Sequence, residues 1–285
     1  MKSRLRIVLL SLVVILPLFF IRQKSPIQDL IRQQVNFGPR YAGTSGHRQT
    51  IDLISTRLRA LSLPVTLQTW THQGLSQNYE FTNIIGKLNP ENPRRLLLAA
   101  HYDSKIGIPG ANDSASGVAI LLELAASVNR LPQPPSFGID LVFFDAEEGE
   151  PQPGAPWIPL GSIYFSRHLT DIYPAVLPQA GILIDMVCSA NPGFYPEQNS
   201  LYYAKDITDK FFAIASKKYP GLFFTQPKYA IGDDHLALNQ SGIPTTLVIG
   251  WNYKYWHTES DTPDKCRAKT TEAVKNSLLE FISSF

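Results

Sequence analysis

Short runs of apolar and β-branched residues recur along the chain, each bounded by polar or turn residues, and this pattern is typical of buried strands. Between them lie segments whose apolar residues recur at helical spacing. Strands that alternate with helices indicate an α/β fold, in which a largely parallel sheet is covered by helices on both faces. The predicted strands are residues 81–88, 96–100, 139–144, 181–184 and 245–249, and the predicted helices are 45–61, 114–128 and 270–283.

Local signals set the limits of these elements. Pro64 follows the first predicted helix and stops it, while Asp113 or Ser114 is available near the N-cap of the second. Proline-rich stretches at residues 132–135 and 151–159 are predicted loops, because proline donates no backbone hydrogen bond and breaks helices. Since no internal repeat or long linker follows residue 24, we predict one domain over residues 25–285.

The first 24 residues have a different pattern. An apolar run at residues 7–21 follows a basic start, which is the order of a secretory signal. The run is shorter than the roughly 20 residues that span a bilayer, yet no small-residue cleavage site precedes Arg22. We therefore expect a signal-anchor at residues 1–24 that holds an exported domain at the membrane, on the non-cytoplasmic side. A cleaved signal peptide, giving a secreted or periplasmic protein, is the alternative.

The composition is that of an ordinary globular protein, with 44% hydrophobic and 18% charged residues. A net charge of +2 is too small to indicate a nucleic-acid partner, and we expect none. We also expect a monomer. The two cysteines, Cys188 and Cys266, could form one disulfide in an oxidising compartment or remain thiols. The sequence leaves both alternatives open.

The candidate chemistry lies just beyond the carboxyl ends of the predicted strands, where an open α/β sheet forms a crevice. Imidazole nitrogen and carboxylate oxygen are ligands that zinc takes in catalytic sites, so these residue types predict a zinc site. A lone histidine or aspartate would more often be a helix cap or a satisfied polar residue, but several groups at one edge favour a site. The candidates are His101, Asp113, the pair Glu147–Glu148, Asp185 and His257.

The adjacent carboxylates of Glu147 and Glu148 suit such a site. One can bind the metal, while the other, repelled by the like charge and partly desolvated, has a pKa raised toward the range useful for proton transfer. A solvated acidic loop is the alternative, and the nearby Glu150 supports it. The apolar residues 141–144 before the pair favour a buried approach instead.

Several segments together resemble the zinc aminopeptidase superfamily, which also contains the glutaminyl cyclases. They occur in that family's order, over roughly residues 37–285. The resemblance implies a single domain with a central mixed, mostly parallel sheet flanked by helices on both faces. The segments are HYDS at 101–104, GANDS at 110–114, FFDAEE at 143–148, LGS at 160–162, DH at 234–235 and HT at 257–258.

The two branches of this superfamily imply different uses of the same residues. The aminopeptidase branch implies two zinc ions, with His101 and Asp185 as additional ligands and Glu147 as the base. The cyclase branch implies that one Zn²⁺ is enough. In that branch the zinc ligands would be Asp113, Glu148 and His257, the catalytic residues Glu147, Asp185 and Asp233, and the substrate-binding residue Trp256.

Departures from the peptidase pattern favour the cyclase branch. Asp233 precedes the DH segment where peptidases commonly have serine, and Trp256 precedes His257 where they commonly have tyrosine. One departure points the other way, because Pro153 stands where animal cyclases have a substrate-lining tryptophan, and Trp157 comes four residues later.

The resemblance therefore leads us to predict a glutaminyl-peptide cyclotransferase, an acyltransferase that converts N-terminal glutamine of peptides or proteins to pyroglutamate and releases ammonia. A zinc aminopeptidase that hydrolyses N-terminal residues is the first alternative. A non-catalytic exported binding module is the second, although nothing in the ligand set suggests that a site has decayed.

Overall fold

The computed structural model describes residues 25–285. The predicted signal-anchor or signal peptide at residues 1–24 lies outside this range. Within residues 25–285, no helix combines the length and apolar character that a bilayer crossing needs.

A six-stranded mixed sheet forms the centre of the domain. The strands are β1 (Val65–Gln73), β2 (Asn78–Leu88), β3 (Arg95–His101), β4 (Gly138–Phe144), β5 (Ala180–Asp185) and β6 (Thr245–Ile249). Their spatial order is β1-β2-β4-β3-β5-β6. Strands β4, β3, β5 and β6 run parallel to one another, whereas β1 pairs antiparallel with β2, and β2 antiparallel with β4. The predicted mixed, mostly parallel sheet is confirmed.

Helices cover both faces of this sheet. They are α1 (Pro26–Asn36), α2 (Ser45–Ala60), α3 (Ser116–Asn129), α4 (Leu160–Arg167), α5 (Leu169–Ile172), α6 (Gln198–Tyr203), α7 (Lys205–Lys218), α8 (His235–Gln240) and α9 (Ala268–Ser284). Alternate residues of β3 enter two different apolar cores. Leu96 and Leu98 pack in the core under α1, α2, α3, α7 and α9, whereas Leu97 and Ala99 pack in the core under α4 and α8. Burial on both faces explains why this strand reads as a continuous apolar run.

All five predicted strands are present, but β1 was not predicted from the sequence. It lies at the edge of the sheet, and its residues alternate between partly buried and exposed, so polar residues such as Gln68 interrupt the apolar signal. The helix α1, which begins at a proline, was also missed.

The predicted capping of the second helix by Asp113 or Ser114 is wrong. Helix α3 begins at Ser116 with Ala115 as its N-cap, and no side chain caps it. Asp113 has the non-helical angles φ −111° and ψ 86° in the irregular segment Ala111–Ala115. This backbone turns the Asp113 carboxylate toward other side chains rather than toward the helix amides.

Cys188 and Cys266 form a disulfide across 78 residues of sequence. It joins the segment after β5 to the segment before α9. Disulfides persist in oxidising compartments, so this one indicates an exported protein.

Candidate active site

The parallel arrangement of β3 to β6 places their carboxyl ends at one edge of the sheet, where candidate side chains meet. His101 is the last residue of β3, Asp185 is the last residue of β5, and the pair Glu147–Glu148 follows β4 by a short turn. His257 lies in the loop after β6. With Asp113, the side chains of His101, Glu148, Asp185 and His257 form two adjacent groups that could each hold a metal ion.

The first group consists of Asp113, Glu148 and His257. Nε2 of His257 lies 3.2 Å from Oε2 of Glu148 and 3.5 Å from Oδ2 of Asp113. The three ligand atoms all lie within 4.8 Å of one another, close enough to surround one small ion.

The second group consists of His101, Asp113 and Asp185, and all three are buried. Nε2 of His101 lies 3.1 Å from Oδ1 of Asp113 and 3.3 Å from Oδ1 of Asp185. Asp113 thus offers one carboxylate oxygen to each group. The structure allows either one or two metal ions on this residue.

Two observations show that these residues fit zinc: the types of donor atom that they offer, and one buried nitrogen that has no hydrogen-bond partner in the described part of the chain. Both groups combine imidazole nitrogen with carboxylate oxygen, which zinc accepts in catalytic sites. Nε2 of His101 is buried and has no hydrogen-bond partner within the described residues, although its neighbours are carboxylates. A buried polar atom without a partner is costly unless a ligand or ion satisfies it.

Asp103 holds both the histidine and the acidic turn. Its Oδ1 lies 3.2 Å from Nδ1 of His101 and accepts a hydrogen bond from the backbone amide of Glu147 at 3.1 Å. Its Oδ2 accepts another from the amide of Glu148 at 3.1 Å. A carboxylate on the second ring nitrogen orients the imidazole, so Asp103 fixes the direction of His101 Nε2.

Asp261 fixes the segment that carries Asp113. Its buried carboxylate accepts hydrogen bonds from the amides of Asn112 at 2.9 Å and of Asp113 at 3.1 Å. The hydroxyl of Tyr253 donates a third, at 2.7 Å. Because Asp261 belongs to the same loop as His257, it ties two ligand-bearing segments together.

A cavity of about 250 Å³ opens beside the metal groups. Three carboxyl side chains, Glu147, Asp185 and Asp233, line it together with Trp256 and the candidate ligands Asp113 and His257. The ring of Trp256 stacks on His257 with centroids 4.2 Å apart. This cavity can hold one small polar group between an aromatic wall and a cluster of carboxyls.

Burial and like charge perturb the acidity of this cluster. Burial raises the pKa of Glu147 well above its usual range, and the carboxylates of Asp233 and Glu148 raise it further against the lowering effect of His101. Burial also raises the pKa of Asp233 well above its usual range, with additional repulsion from Asp185. A raised pKa makes a carboxyl group a better proton acceptor in its ionised form, which suits it to general acid–base catalysis.

Trp157 lines the cavity, although it does not occupy the sequence position at which animal cyclases have their substrate-lining tryptophan. Although it comes four residues after Pro153, it lines the same cavity as Trp256. Its six-membered ring comes within 3.7 Å of the position that a Cβ would take at Gly232, on the loop before Asp233. The loop between β4 and α4 thus brings an indole to the cavity at residue 157.

The structure brings all eight sequence-predicted site residues to one place. What the sequence did not reveal is the support behind them, since neither Asp103 nor Asp261 was assigned a role. Asp103 lies within the HYDS segment and could have been suspected from it, whereas no motif marks Asp261.

Comparison with known proteins identifies the family. The model of Peptidase family M28 matches residues 83–282, which contain most of the sheet and the whole site. The chain belongs to Peptidase family M28. Its match spans the predicted motif order, and the resemblance to the zinc aminopeptidase superfamily is confirmed.

The chain is similar to a curated protein and to two solved structures. The mouse glutaminyl-peptide cyclotransferase-like protein is 28% identical over 276 residues, covering 85% of this chain and 71% of that protein. The Bacteroides thetaiotaomicron glutaminyl cyclase, solved with N-acetylhistamine, is 34% identical with a TM-score of 0.83, covering 90% of this chain and 96% of that one. A leucine aminopeptidase precursor from the same organism is 32% identical with a TM-score of 0.83, covering 90% and 95%. The two solved structures confirm the predicted fold, and the cyclotransferase-like and glutaminyl cyclase relatives confirm an enzyme of the cyclase branch.

Proposed function

We propose that this M28 protein is a zinc-dependent glutaminyl-peptide cyclotransferase acting on free peptide N-termini. The observation that carries the proposal is the cavity itself, in which Glu147, Asp185 and Asp233 lie beside the candidate zinc ligands Asp113 and His257. Three tryptophans, Trp157, Trp251 and Trp256, line the same cavity. Cyclisation needs such a pocket because the peptide's own amine is the nucleophile and must be folded back onto its side chain.

The pocket residues orient the substrate. Trp157 and Trp256 enclose the aliphatic part of the glutaminyl side chain, while Asp185 and Asp233 accept hydrogen bonds from its α-amine and amide nitrogen. Holding reacting groups in one geometry can lower a barrier by roughly 7–11 kcal/mol. Orientation therefore supplies a large share of the catalysis.

Glu147 moves the proton. Its carboxylate accepts a proton from the α-amine as the amine nitrogen bonds to the γ-carboxamide carbon. It then delivers this proton to the leaving nitrogen, the carbon–nitrogen bond of the amide breaks, and ammonia leaves. Zinc held by Asp113, Glu148 and His257 would supply a Lewis acid for the amide carbonyl.

Aminopeptidase activity is the second candidate, and a specific observation favours it. The buried group of His101, Asp113 and Asp185 could hold a second metal ion beside the first. Two metal ions about 3.5–4 Å apart can activate a water for peptide hydrolysis. One of the similar solved structures described above is a leucine aminopeptidase precursor.

Variants of Asp233 and His101 distinguish the two activities. For a cyclase, Asp233→Ala should lower ammonia release from a glutaminyl peptide by several hundred-fold or more, because it removes an acceptor that positions the reacting groups. His101→Ala should be mild, and one zinc per chain should be found. If the protein hydrolyses N-terminal residues, holds two zinc ions and loses one in His101→Ala, the cyclase proposal is wrong.

We also propose that residues 1–24 hold the domain at the outer side of a membrane. The basic start and apolar run support an anchor, and the disulfide of Cys188 and Cys266 supports an oxidising compartment. Fractionation of cells that make the full chain should place it in the membrane fraction, accessible to added protease from the non-cytoplasmic side. A soluble product shortened by about 22 residues would show a cleaved signal instead.

A further inference from the structure

A second cavity of about 290 Å³ adjoins the catalytic pocket. Lys105 lines both cavities, and Glu148 lines the second one next to the metal group. Tyr41, Ile106 and Pro153 supply apolar wall on the outer side. Because Lys105 lines both cavities, a peptide whose first residue occupies the catalytic pocket can place its next residue in the second cavity.

The acidic side chains of this second cavity already have partners. Oε1 of Glu150 lies 3.0 Å from Nε2 of His72. Its Oε2 accepts a hydrogen bond from the backbone amide of Leu75 at 3.0 Å. Asp103 is buried and accepts the two amides of the Glu147–Glu148 turn. Glu148, the third acidic residue of the lining, has Lys105 and His257 as partners. These contacts hold the cavity wall in place and engage all three of its carboxylates.

Lys105 is the cation of this cavity, and it has donors to spare. Its side chain is 39% exposed, and its one hydrogen bond within the described residues goes to Oε2 of Glu148, 3.3 Å away. A lysine ammonium has three donor protons. Two donors can therefore point toward a ligand that enters between the two cavities.

We propose that the second cavity is a subsite for the residue after the N-terminal glutamine, and that Lys105 makes it favour an acidic side chain there. This inference rests on the proposed cyclase function. It assigns the substrate class as peptides that begin with glutamine followed by glutamate or aspartate. The apolar wall of Tyr41 and Ile106 receives the aliphatic stem, and the ammonium receives the carboxylate.

Three C-terminally amidated peptides test the subsite, because they differ only in whether glutamate, alanine or lysine follows the glutamine. The full zinc-loaded chain should cyclise all three, with kcat/KM about tenfold higher for the glutamate peptide than for the lysine peptide at low salt, and less at high salt. Lys105→Gln should remove the preference, and Lys105→Glu should reverse it. Lys217→Glu, on the exposed surface of α7, makes the same charge change and should leave the preference intact.

The outcomes separate the subsite from the activity. If no glutaminyl peptide is cyclised, the proposed function fails. If all three are cyclised equally, or Lys105→Glu lowers kcat/KM for all three by one common factor with zinc retained, Lys105 does not read the second residue and the subsite proposal is wrong.

Discussion

The carboxylate of Asp261 accepts a hydrogen bond from the backbone amide of Asp113 at 3.1 Å, and Asp261 lies in the loop that also carries His257. One buried residue thereby links the segments of two proposed zinc ligands, Asp113 and His257. The entropy cost of ordering these two segments next to each other is met when the protein folds, and not when the metal binds. A preformed ligand set of this kind should bind zinc more tightly than a flexible one.

Asp261→Asn should weaken zinc binding by about 10–100-fold, because the amide cannot accept both backbone hydrogens as well as the tyrosine hydroxyl. Competition with a chromogenic chelator measures the affinity, and circular dichroism checks the fold. Asp264→Asn is the matched control, since Asp264 is an exposed aspartate of the same loop that pairs with Lys265. Equal zinc affinity in Asp261→Asn and wild type would contradict the assigned role.

The sequence predicted five of the six strands and the residues at their carboxyl ends, but it could not predict Asp261 as a support. Runs such as residues 139–144 are buried on both faces, and that burial leaves a continuous apolar signal. The contact from Asp261 to Asp113 joins residues 148 positions apart. No local periodicity encodes such a pairing. The sequence likewise could not show that Trp157 lines the cavity, because that depends on the path of its loop.

Glu147→Gln should keep zinc and lose about 10²–10⁴-fold in turnover, because the amide preserves the shape but cannot accept the proton. Zinc content and ammonia release are measured on the same preparation. Near-normal turnover in a zinc-loaded Glu147→Gln protein would remove Glu147 from proton transfer.

Trp157→Ala should raise KM for a glutaminyl peptide by about tenfold, since an aromatic wall of the pocket is lost, whereas Trp157→Phe should keep most of the affinity. Ile158→Ala is the matched control, because Ile158 is 41% exposed and the next residue on the same loop. Similar KM values for Trp157→Ala and Ile158→Ala would show that the indole does not contact substrate.

Glu197 should make stability depend on pH. Burial alone would raise its pKa, but the hydrogen bond with His235 and those from the amides of Ser200 and Asn199 lower it below the usual value. A lowered folded-state pKa stabilises the protein fully above the unfolded-state pKa of about 4.3, and this stabilisation is lost as the pH falls through the folded-state value.

Glu197→Gln should therefore cost about 1–2 kcal/mol of unfolding free energy at pH 7 and less near pH 3.5. Urea unfolding of the zinc-free protein at both pH values measures the difference without a contribution from metal binding. Glu280→Gln, which removes the exposed partner of Lys218, should leave the midpoint nearly unchanged. A Glu197→Gln difference that does not change with pH would contradict the lowered pKa.

The product of the wild-type enzyme tests the central claim most directly. The full zinc-loaded chain is incubated with a peptide that begins with glutamine, and mass spectrometry identifies the product against an enzyme-free control for spontaneous cyclisation. A glutaminyl cyclase should yield the intact peptide lighter by one ammonia, with an equal amount of ammonia released. A peptide shortened by its first residue, together with free glutamine, would contradict the claim.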